Sequence, residues 1–590
     1  MQLIMLQYRK DRKDDDGMFL RKTYSKATGR TYLAIAHGYR DLNGKTRQKT
    51  IQKIGYLDEL KKDYPDPIAH FTSLAHKMDS ERKEAKSIPI LLNMEEQLQC
   101  NEVMRKNYGS IVFSKVYHEL QLDRFLDNAR RHEKFSYNAE AMMRLLVYTR
   151  LLWPSSKRAS FQNKEQFFDK FDFTLDDIYD GLTHFDKISD ALQQHLHEQV
   201  VEQYKRSTDL IYYDVTNYYF ETEKQDDLRR NGCSKEKRKK PIVQMGLMMD
   251  KEGLPVAYKT FPGNAHNSQT LMPILTEIKK KYKTKRIITV ADKGLNSGDN
   301  ITFSTALGDG YIFSKSVRGA SDDFKSWVLD ESGYRELGEC YKLKSKIVPD
   351  AEISATIAQD GKKRKKKKMK LEQKWIAFYS DKYARRAKRK RGEVIAKACA
   401  MIKNPAKYKG ILDYGAAGYI KNLKVDKETG EVLSPVDVMF IDEERINEEE
   451  KLDGYYAIIT SELDTADTDI VKAYKGLWRI EESFKITKSI LGSRPVFVRT
   501  EKHINAHFLT CFVSLLIARI IEKRLGGKYT IKTITETLQK LACSNITQNI
   551  WLFDYFDDVM IDMNQVFGTN FGRKQMTLKE IKNNFSTSKK

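Results

Sequence analysis

Residues 209–221 read DLIYYDVTNYYFE, an apolar, aromatic and β-branched run with one carboxylate, Asp214, in its middle. That composition marks a buried strand. A lone charge inside one is costly unless something compensates it. Outward from this run the strand pattern continues through IVQMGLMMD (242–250), the turn KEGL and PVAYKTFPGN (255–264). A helical stretch, LMPILTEIKKKY (271–282), is followed by the strand RIITVAD (286–292), a short helix after Ser297 and the strand YIFSK (311–315). Three strands, a crossover helix and a parallel strand are the order of a mixed α/β sheet.

The second carboxylate, Asp292, ends the strand expected beside that of Asp214, and Gly294 and Ser297 supply the turn and N-cap of the next helix. Functional groups of open α/β sheets collect at such strand ends. Two aspartates there repel each other unless a cation holds them, and hard divalent ions accept that set of oxygens. The third element is YKGLWRIEESFKITK (474–488). Tyr474, Glu481 and Lys488 are seven residues apart, and seven steps bring a helix within about 20° of two full turns. One stripe then carries a hydroxyl, a carboxylate and a cation. Glu482 points about 100° away from it. Three carboxylates suit two magnesium ions, which activate a water or a 3′-hydroxyl on one side of a phosphodiester and stabilise the leaving oxygen on the other.

Charge agrees with such a substrate. The 590 residues hold 104 Lys and Arg against 81 Asp and Glu, a formal surplus of +23. A polyanionic partner is favoured, because each neutralised phosphate releases counterions, although charge alone does not separate DNA, RNA and an acidic membrane. With 40% hydrophobic and 11% aromatic residues the chain is not disordered as a whole. Six dispersed cysteines without a C-x-x-C pair exclude a disulfide framework and a zinc knuckle. The start, MQLIMLQYRKDRKDDD, lacks a secretory pattern. The most apolar stretch, Phe508 to Ile521, reads as too short to span a bilayer and carries Arg519. A cytoplasmic, nucleoid-associated protein with no membrane partner is expected.

Residues 31–55 read as a hairpin turning at Asn43-Gly44, with Arg47, Lys49, Ile51 and Lys53 on one face of its second strand. That face is either a phosphate-facing ribbon or a solvated edge. Residues 60–86 read as a helical or loose linker, and 111–204 as a helical domain whose AEAMMRLLVYTRLLW helix stops at Pro154. From 319 to 454 short strands (WIAFYS, SPVDVMFI) alternate with basic runs, GKKRKKKKMK (361–370) and YARRAKRKRG (383–392). Such runs are solvated loops or clamps on a nucleic-acid backbone. Helices resume near Asp467 and continue, as in IKTITETLQKLA, towards the end.

At these residues the chain resembles the DDE transposases of bacterial insertion sequences, in the branch with a β-rich insertion before the glutamate and a Y-x2-R-x3-E-x6-K signature. The likeness covers about 209–505 and includes FPGNAHNSQTLMPIL and ADKGLNSGDN. Seventy-eight positions separate the aspartates and 189 separate Asp292 from Glu481, room for the insertion. The resemblance implies an α/β, RNase H-like mixed five-stranded sheet interrupted by that insertion, with an N-terminal hairpin, a helical domain and a helical C-terminus. The expected layout is an N-terminal DNA-binding hairpin and linker (1–105), a helical DNA-binding domain (106–205), the core in two parts (206–318 and 456–524), the insertion (319–455) and the helical C-terminal region (525–590). It also implies Asp214, Asp292 and Glu481 as ligands of two Mg2+ ions, with Mn2+ able to substitute, and Tyr474 and Lys488 on phosphates of the transposon end. Lys293, Arg47, Lys49, Lys53 and Tyr456 complete the expected DNA contacts. The expected partners are the terminal inverted repeats and target DNA, bound by a homodimer. The signature Arg is absent: Leu477 stands in its place, and Arg479 faces elsewhere on the helix.

Tyr455 and Tyr456 either stack on an exposed base or fill a core. Trp375 poses the same choice, and Trp478 reads as core packing. His503 and His507 share a helix face and lack the further ligands of a zinc site, which makes them polar contacts. Asn264 reads as a turn former. Two rival functions keep part of this pattern: an RNase H-like nuclease or resolvase without strand transfer, and a non-catalytic nucleic-acid-binding protein.

Overall fold

The structure is a computed structural model, and it describes residues 17–26, 28–40, 46–85, 95, 97–100, 102–131, 133–232, 240–282, 284–338, 341–357, 365–410, 414–547 and 549–589. The chain divides into two compact units, Met1–Met104 with Asn545–Leu552, and Arg105–Ser544 with Phe553–Lys590.

In the first unit the expected hairpin is two strands of an antiparallel sheet of three, β1 (Gly17–Ser25), β2 (Arg30–Arg40) and β3 (Thr46–Tyr56). The Asn43-Gly44 turn lies outside the described residues. Helix Pro67–Ala85 is tied to β1, where the Met18 amide donates to Asp79 Oδ1 at 2.8 Å. The expectation that Arg47, Lys49 and Lys53 share a face is corrected. Register runs His37↔Lys49 and Ala36↔Thr50, then jumps to Ile35↔Gln52 and Ala34↔Lys53. The extra residue, Ile51, is a bulge, and one inserted residue moves every later side chain to the other face. Lys53 therefore faces away from Arg47 and Lys49.

In the second unit, helices Ser110–Glu119, Leu122–Arg130, Ala139–Leu152 and Leu175–Tyr204 form the expected helical region. Thr174 and Asp177 make a reciprocal capping box at the start of the last. Helix Glu501–Arg524 is longer than its apolar run suggested. By length and composition it could cross a membrane, but 94% of its apolar window is buried inside the protein, which makes it a core helix. The C-terminal region is not purely helical: strand Ala542–Thr547 pairs with a short strand, β4 (Arg105–Asn107), through Ala542↔Asn107 and Cys543↔Lys106.

The sheet is wider than the five strands expected. Strands β5 (Leu210–Tyr219), β6 (Ile242–Asp250), β7 (Pro255–Pro262), β8 (Ile288–Ala291) and β9 (Gly310–Lys315) stand in the order β9-β8-β5-β6-β7, with β8 parallel to both β5 and β9. The insertion then adds β10 (Arg335–Glu336), β11 (Tyr341–Ile357) and β12 (Lys365–Ser380) at one edge. They join through β15 (Tyr455–Thr460), giving nine strands in the order β10-β11-β12-β15-β9-β8-β5-β6-β7. Between β12 and β15 lie helix Asp381–Lys403, the two-residue strands β13 (Ile420–Lys421) and β14 (Phe440–Ile441), and helix Glu443–Lys451. SPVDVMFI is thus mostly not strand, and YARRAKRKRG is helix rather than loop. Alanine, lysine and arginine are good helix formers, and Ala398 and Met401 anchor that helix in a small core with Tyr419, Ile420 and Met439.

Candidate active site

Strand β5 divides its side chains between two layers. Ile211, Tyr213 and Val215 enter the core against Ile274, Leu275 and Ile278 of helix Leu271–Tyr282. The alternate residues Tyr212, Asp214, Thr216 and Tyr218 therefore share the opposite face. β5 and β8 are parallel with Leu210↔Ile288, Ile211↔Thr289 and Tyr212↔Val290 in register. Carried two residues further, that register sets Asp214 opposite Asp292, just past the end of β8. Adjacent strands are about 4.8 Å apart. The Asp214 carboxylate accepts the Val215 amide at 2.7 Å. Asp292 Oδ1 accepts the Lys293 amide at 2.7 Å and the Ser314 hydroxyl at 2.9 Å. The expected N-cap is present, Ser297 accepting from the Asn300 amide.

The glutamate segment crosses the Asp214 face. It is not one α-helix: Asp467–Lys475 ends at Gly476, Trp478–Lys485 follows, and Ile486–Ile490 is wound as π-helix. Gly476 is required where it stands, because a Cβ there would lie 1.9 Å from the Tyr212 hydroxyl. At the other end Lys488 Nζ donates to Thr216 Oγ1 and lies 5.5 Å from the Tyr218 ring centre. From Gly476 to Lys488 a helix rises about 18 Å, close to the roughly 20 Å from Tyr212 to Tyr218 along a strand. The two run side by side, and Trp478–Lys485, which carries Glu481, packs against β5.

Tyr474 ties this segment to the second aspartate. Burial foremost pushes its hydroxyl up to about 12; a hydrogen bond with Ser314 opposes that, and the nearby charges of Asp292 and Glu481 add to it. Tyr474, Asp292, Ser314 and Glu481 thus form one neighbourhood. Nothing in the sequence singles out Ser314 of β9 or Thr216 of β5, the hydroxyls that meet Asp292 and Lys488. Leu477, at the signature Arg position, is buried. The Arg479 guanidinium lies 5.5 Å from the Trp478 ring centre, and burial pushes the Tyr212 hydroxyl up against the smaller downward pull of the Arg479 charge. Trp478 is 55% exposed, against the expectation of core packing.

The donor set is made of hard oxygens, which fits magnesium. Among the described residues no three acidic, histidine or cysteine side chains stand close enough together to hold a metal ion. Both aspartates instead accept local amides. Magnesium commonly takes one or two carboxylates and completes its sphere with substrate phosphates. Lys293 is exposed beside Asp292. Tyr456 is 42% exposed and stacks on Phe378 with ring centres 5.6 Å apart and planes at 13°; Tyr455 donates to Glu331 Oε1 at 2.8 Å. His503 lies 3.3 Å from Thr183 Oγ1, and buried His507 3.2 Å from the Ser493 carbonyl, polar contacts as expected. Arg47, Lys49 and Lys53 belong to the first unit.

Residues 205–517, more than half the chain, match the transposase DDE domain. The chain belongs to the DDE transposase family. The match contains Asp214, Asp292, Glu481 and Lys488, all the core strands and the insertion. Residues 20–88 match the N-terminal domain of the IS1634 family transposases, the span of β1, β2, β3 and helix Pro67–Ala85. No curated protein matches this transposase family member in sequence. Among solved structures it is similar to one described as "Mos1 transposase paired-end complex with left transposon end", at 10% identity and a TM-score of 0.14 over 40% of this chain. The chain spans 65% of that chain's length, and a likeness at this score carries no argument about the site.

Proposed function

We propose that this chain is an active transposase that cuts the ends of its own insertion sequence and joins the freed 3′-hydroxyls to target DNA, with Asp214, Asp292 and Glu481 as its catalytic acids. The observation that carries this is the β5–β8 register, which sets the two aspartates opposite each other on the face crossed by the Glu481 segment. Two Mg2+ ions, or Mn2+ in their place, would be held by these acids and would supply Lewis-acid polarisation of the phosphodiester. Every other part belongs to the chain. The Tyr474 hydroxyl, held protonated at working pH, donates to a phosphate oxygen, Lys488 and Lys293 offset phosphate charge, and the exposed ring of Tyr456 faces DNA bases. In this reading β9-β8-β5-β6-β7 is the RNase H-like core, the chain falls in the Y-x2-R-x3-E-x6-K branch despite Leu477, and the first unit and the helical region recognise the terminal repeats. A homodimer pairs two ends in the cytoplasm.

The test is an assay with duplexes carrying the sequences that flank the gene, incubated with a target duplex and Mg2+. Cleavage at the repeat followed by strand joining is expected. Cleavage without joining would leave a nuclease or resolvase, and binding without cleavage a nucleic-acid-binding protein; either overturns the proposal. In the same assay Lys488→Met is expected to slow cleavage about 10- to 100-fold, since hydrogen bonds to charged groups contribute about 1.5–3 kcal/mol. Lys488→Arg should recover part of that rate. Equal rates for all three proteins would remove Lys488 from the site.

A further inference from the structure

Arg150 lies near the end of helix Ala139–Leu152 and is 3% exposed. Among the described residues no carboxylate pairs with it. A guanidinium keeps its charge in proteins, and a buried charge without a partner is costly. What holds this one is backbone. Its Nη1 donates to the carbonyls of Leu491 and Gly492, both at 3.2 Å, and its Nη2 to that of Ser155 at 3.1 Å. Lys157 shows what the same surroundings do to a cation not held in this way. Its Nζ is buried with no hydrogen-bond partner among the described residues, and burial foremost, with the Arg150 charge adding to it, pushes it down to about 7.

Leu491 and Gly492 stand three and four residues past Lys488, where the glutamate segment ends. The last carbonyls of a helix have no partner within it, and a cation from another element can supply one. The chain also folds back at this point. The Leu491 amide donates to the Ile486 carbonyl at 2.9 Å, and the Ser493 amide and hydroxyl donate to the Thr487 carbonyl at 3.0 and 2.6 Å. Thr487 Oγ1 in turn lies 3.0 Å from the Tyr218 hydroxyl of β5. Gly492 has a φ of +51°, and a Cβ on it would lie 2.8 Å from that of Pro154, so the chain just past the Arg150 helix also presses on the turn. The stretch closed by this turn, Ile486–Ile490, is the π-helical one that carries Lys488. Such winding is rare and recurs at functional sites.

We propose that Arg150 is a positioning residue of the active site, clamping the Leu491–Gly492 turn so that Lys488 meets the phosphate of the strand being cut. The proposal rests on the DDE reading above, in which Lys488 offsets phosphate charge. Buried as it is, Arg150 acts through the turn and not on DNA. A methionine in its place fills the volume but leaves two carbonyls without their donor, and Lys488 loses its aim. A lysine keeps the charge without the planar fork that spans both carbonyls.

The test measures Mg2+-dependent cleavage and binding of duplexes with the gene's flanking sequences by Arg150→Met, Arg150→Lys and Lys488→Met proteins and by the two double variants. Arg150→Met is expected to slow cleavage about tenfold or more with DNA affinity within twofold, and Arg150→Lys to recover part of the rate. Added to Lys488→Met, either change at 150 should lower the rate little further, because residues that act through one contact are non-additive. A full rate for Arg150→Met, losses that multiply with that of Lys488→Met, or a fall in DNA affinity as large as the fall in rate would overturn the proposal. Should Arg150→Met fail to fold, Arg150→Lys, alone and with Lys488→Met, gives the same decision. A full rate for Lys488→Met would instead overturn the reading of Lys488, and absence of cleavage by the unaltered protein the DDE reading; both results are read without any change at Arg150.

Discussion

Asp214→Asn, Asp292→Asn and Glu481→Gln are each expected to lower Mg2+-dependent cleavage of the transposon end about a thousandfold or more while leaving DNA affinity within a fewfold. The size follows from the several kcal/mol that metal-assisted charge stabilisation contributes, each 1.36 kcal/mol being tenfold in rate. The substitutions are gentle to the fold. Asparagine at 214 keeps an oxygen for the Val215 amide, and asparagine at 292 keeps one for the Lys293 amide and the Ser314 hydroxyl. Pairs of these variants should fall little below the singles, because groups acting as one unit are non-additive. A full rate for any single variant would remove that residue from the site.

The second large effect is structural. Arg206 and Asp250 form an ion pair at 2.8 Å, with side chains 1% and 2% exposed. Arg206 also donates to the Pro255 carbonyl at 2.7 Å, and Asp250 Oδ1 accepts the amides of Glu252 and Leu254 at 3.0 and 2.9 Å. The pair thus locks the turn between β6 and β7 beside the strand that carries Asp214. Arg206→Met would leave a buried carboxylate without its cation, and breaking one side of such a pair costs about 3–5 kcal/mol. Amide hydrogen exchange at Glu252 and Leu254 is expected to accelerate by about two orders of magnitude or more, since 1.4 kcal/mol is tenfold. Unchanged exchange would show that the turn holds without the pair.

Much of the core was legible because its signals are local. Apolar runs bounded by turns gave β5 to β9, Pro154 and Ser297 marked helix ends, and Asp214 stood out as a charge in an apolar strand. What escaped depends on partners distant in sequence. GMFLRKTYS (17–25) has no strict alternation, and only pairing with β2 shows it as a strand. The lysines of β12 belong to a run that reads as a solvated loop or a clamp on nucleic acid, yet they lie in a strand, where Lys368 and Lys370 pair with Glu352 and Asp350 of β11 at 2.9 and 3.8 Å. The nine-stranded sheet arises because Ala457–Thr460 of β15 pairs with β9, a contact across more than 140 residues. The bulge at Ile51, which sends Lys53 to the other face, leaves no mark in the pattern of charges. The seven-residue spacing of Tyr474, Glu481 and Lys488 places them on one stripe only if the segment is one straight helix. The segment is broken at Gly476 and underwound after Lys485, and it meets Tyr212 and Thr216 of β5 at its two ends.

The convergence of the three acids on shared ions is tested most directly by iron-directed cleavage of the protein itself. With Fe2+ replacing Mg2+ on the DNA-bound transposase, ascorbate and peroxide generate radicals that cut the backbone beside the metal. Cuts clustered together near Asp214, Asp292 and Glu481, suppressed by excess Mg2+ and lost in Asp292→Asn, are expected. Cuts confined to one of the three segments, or falling elsewhere in the chain, would contradict a common metal site.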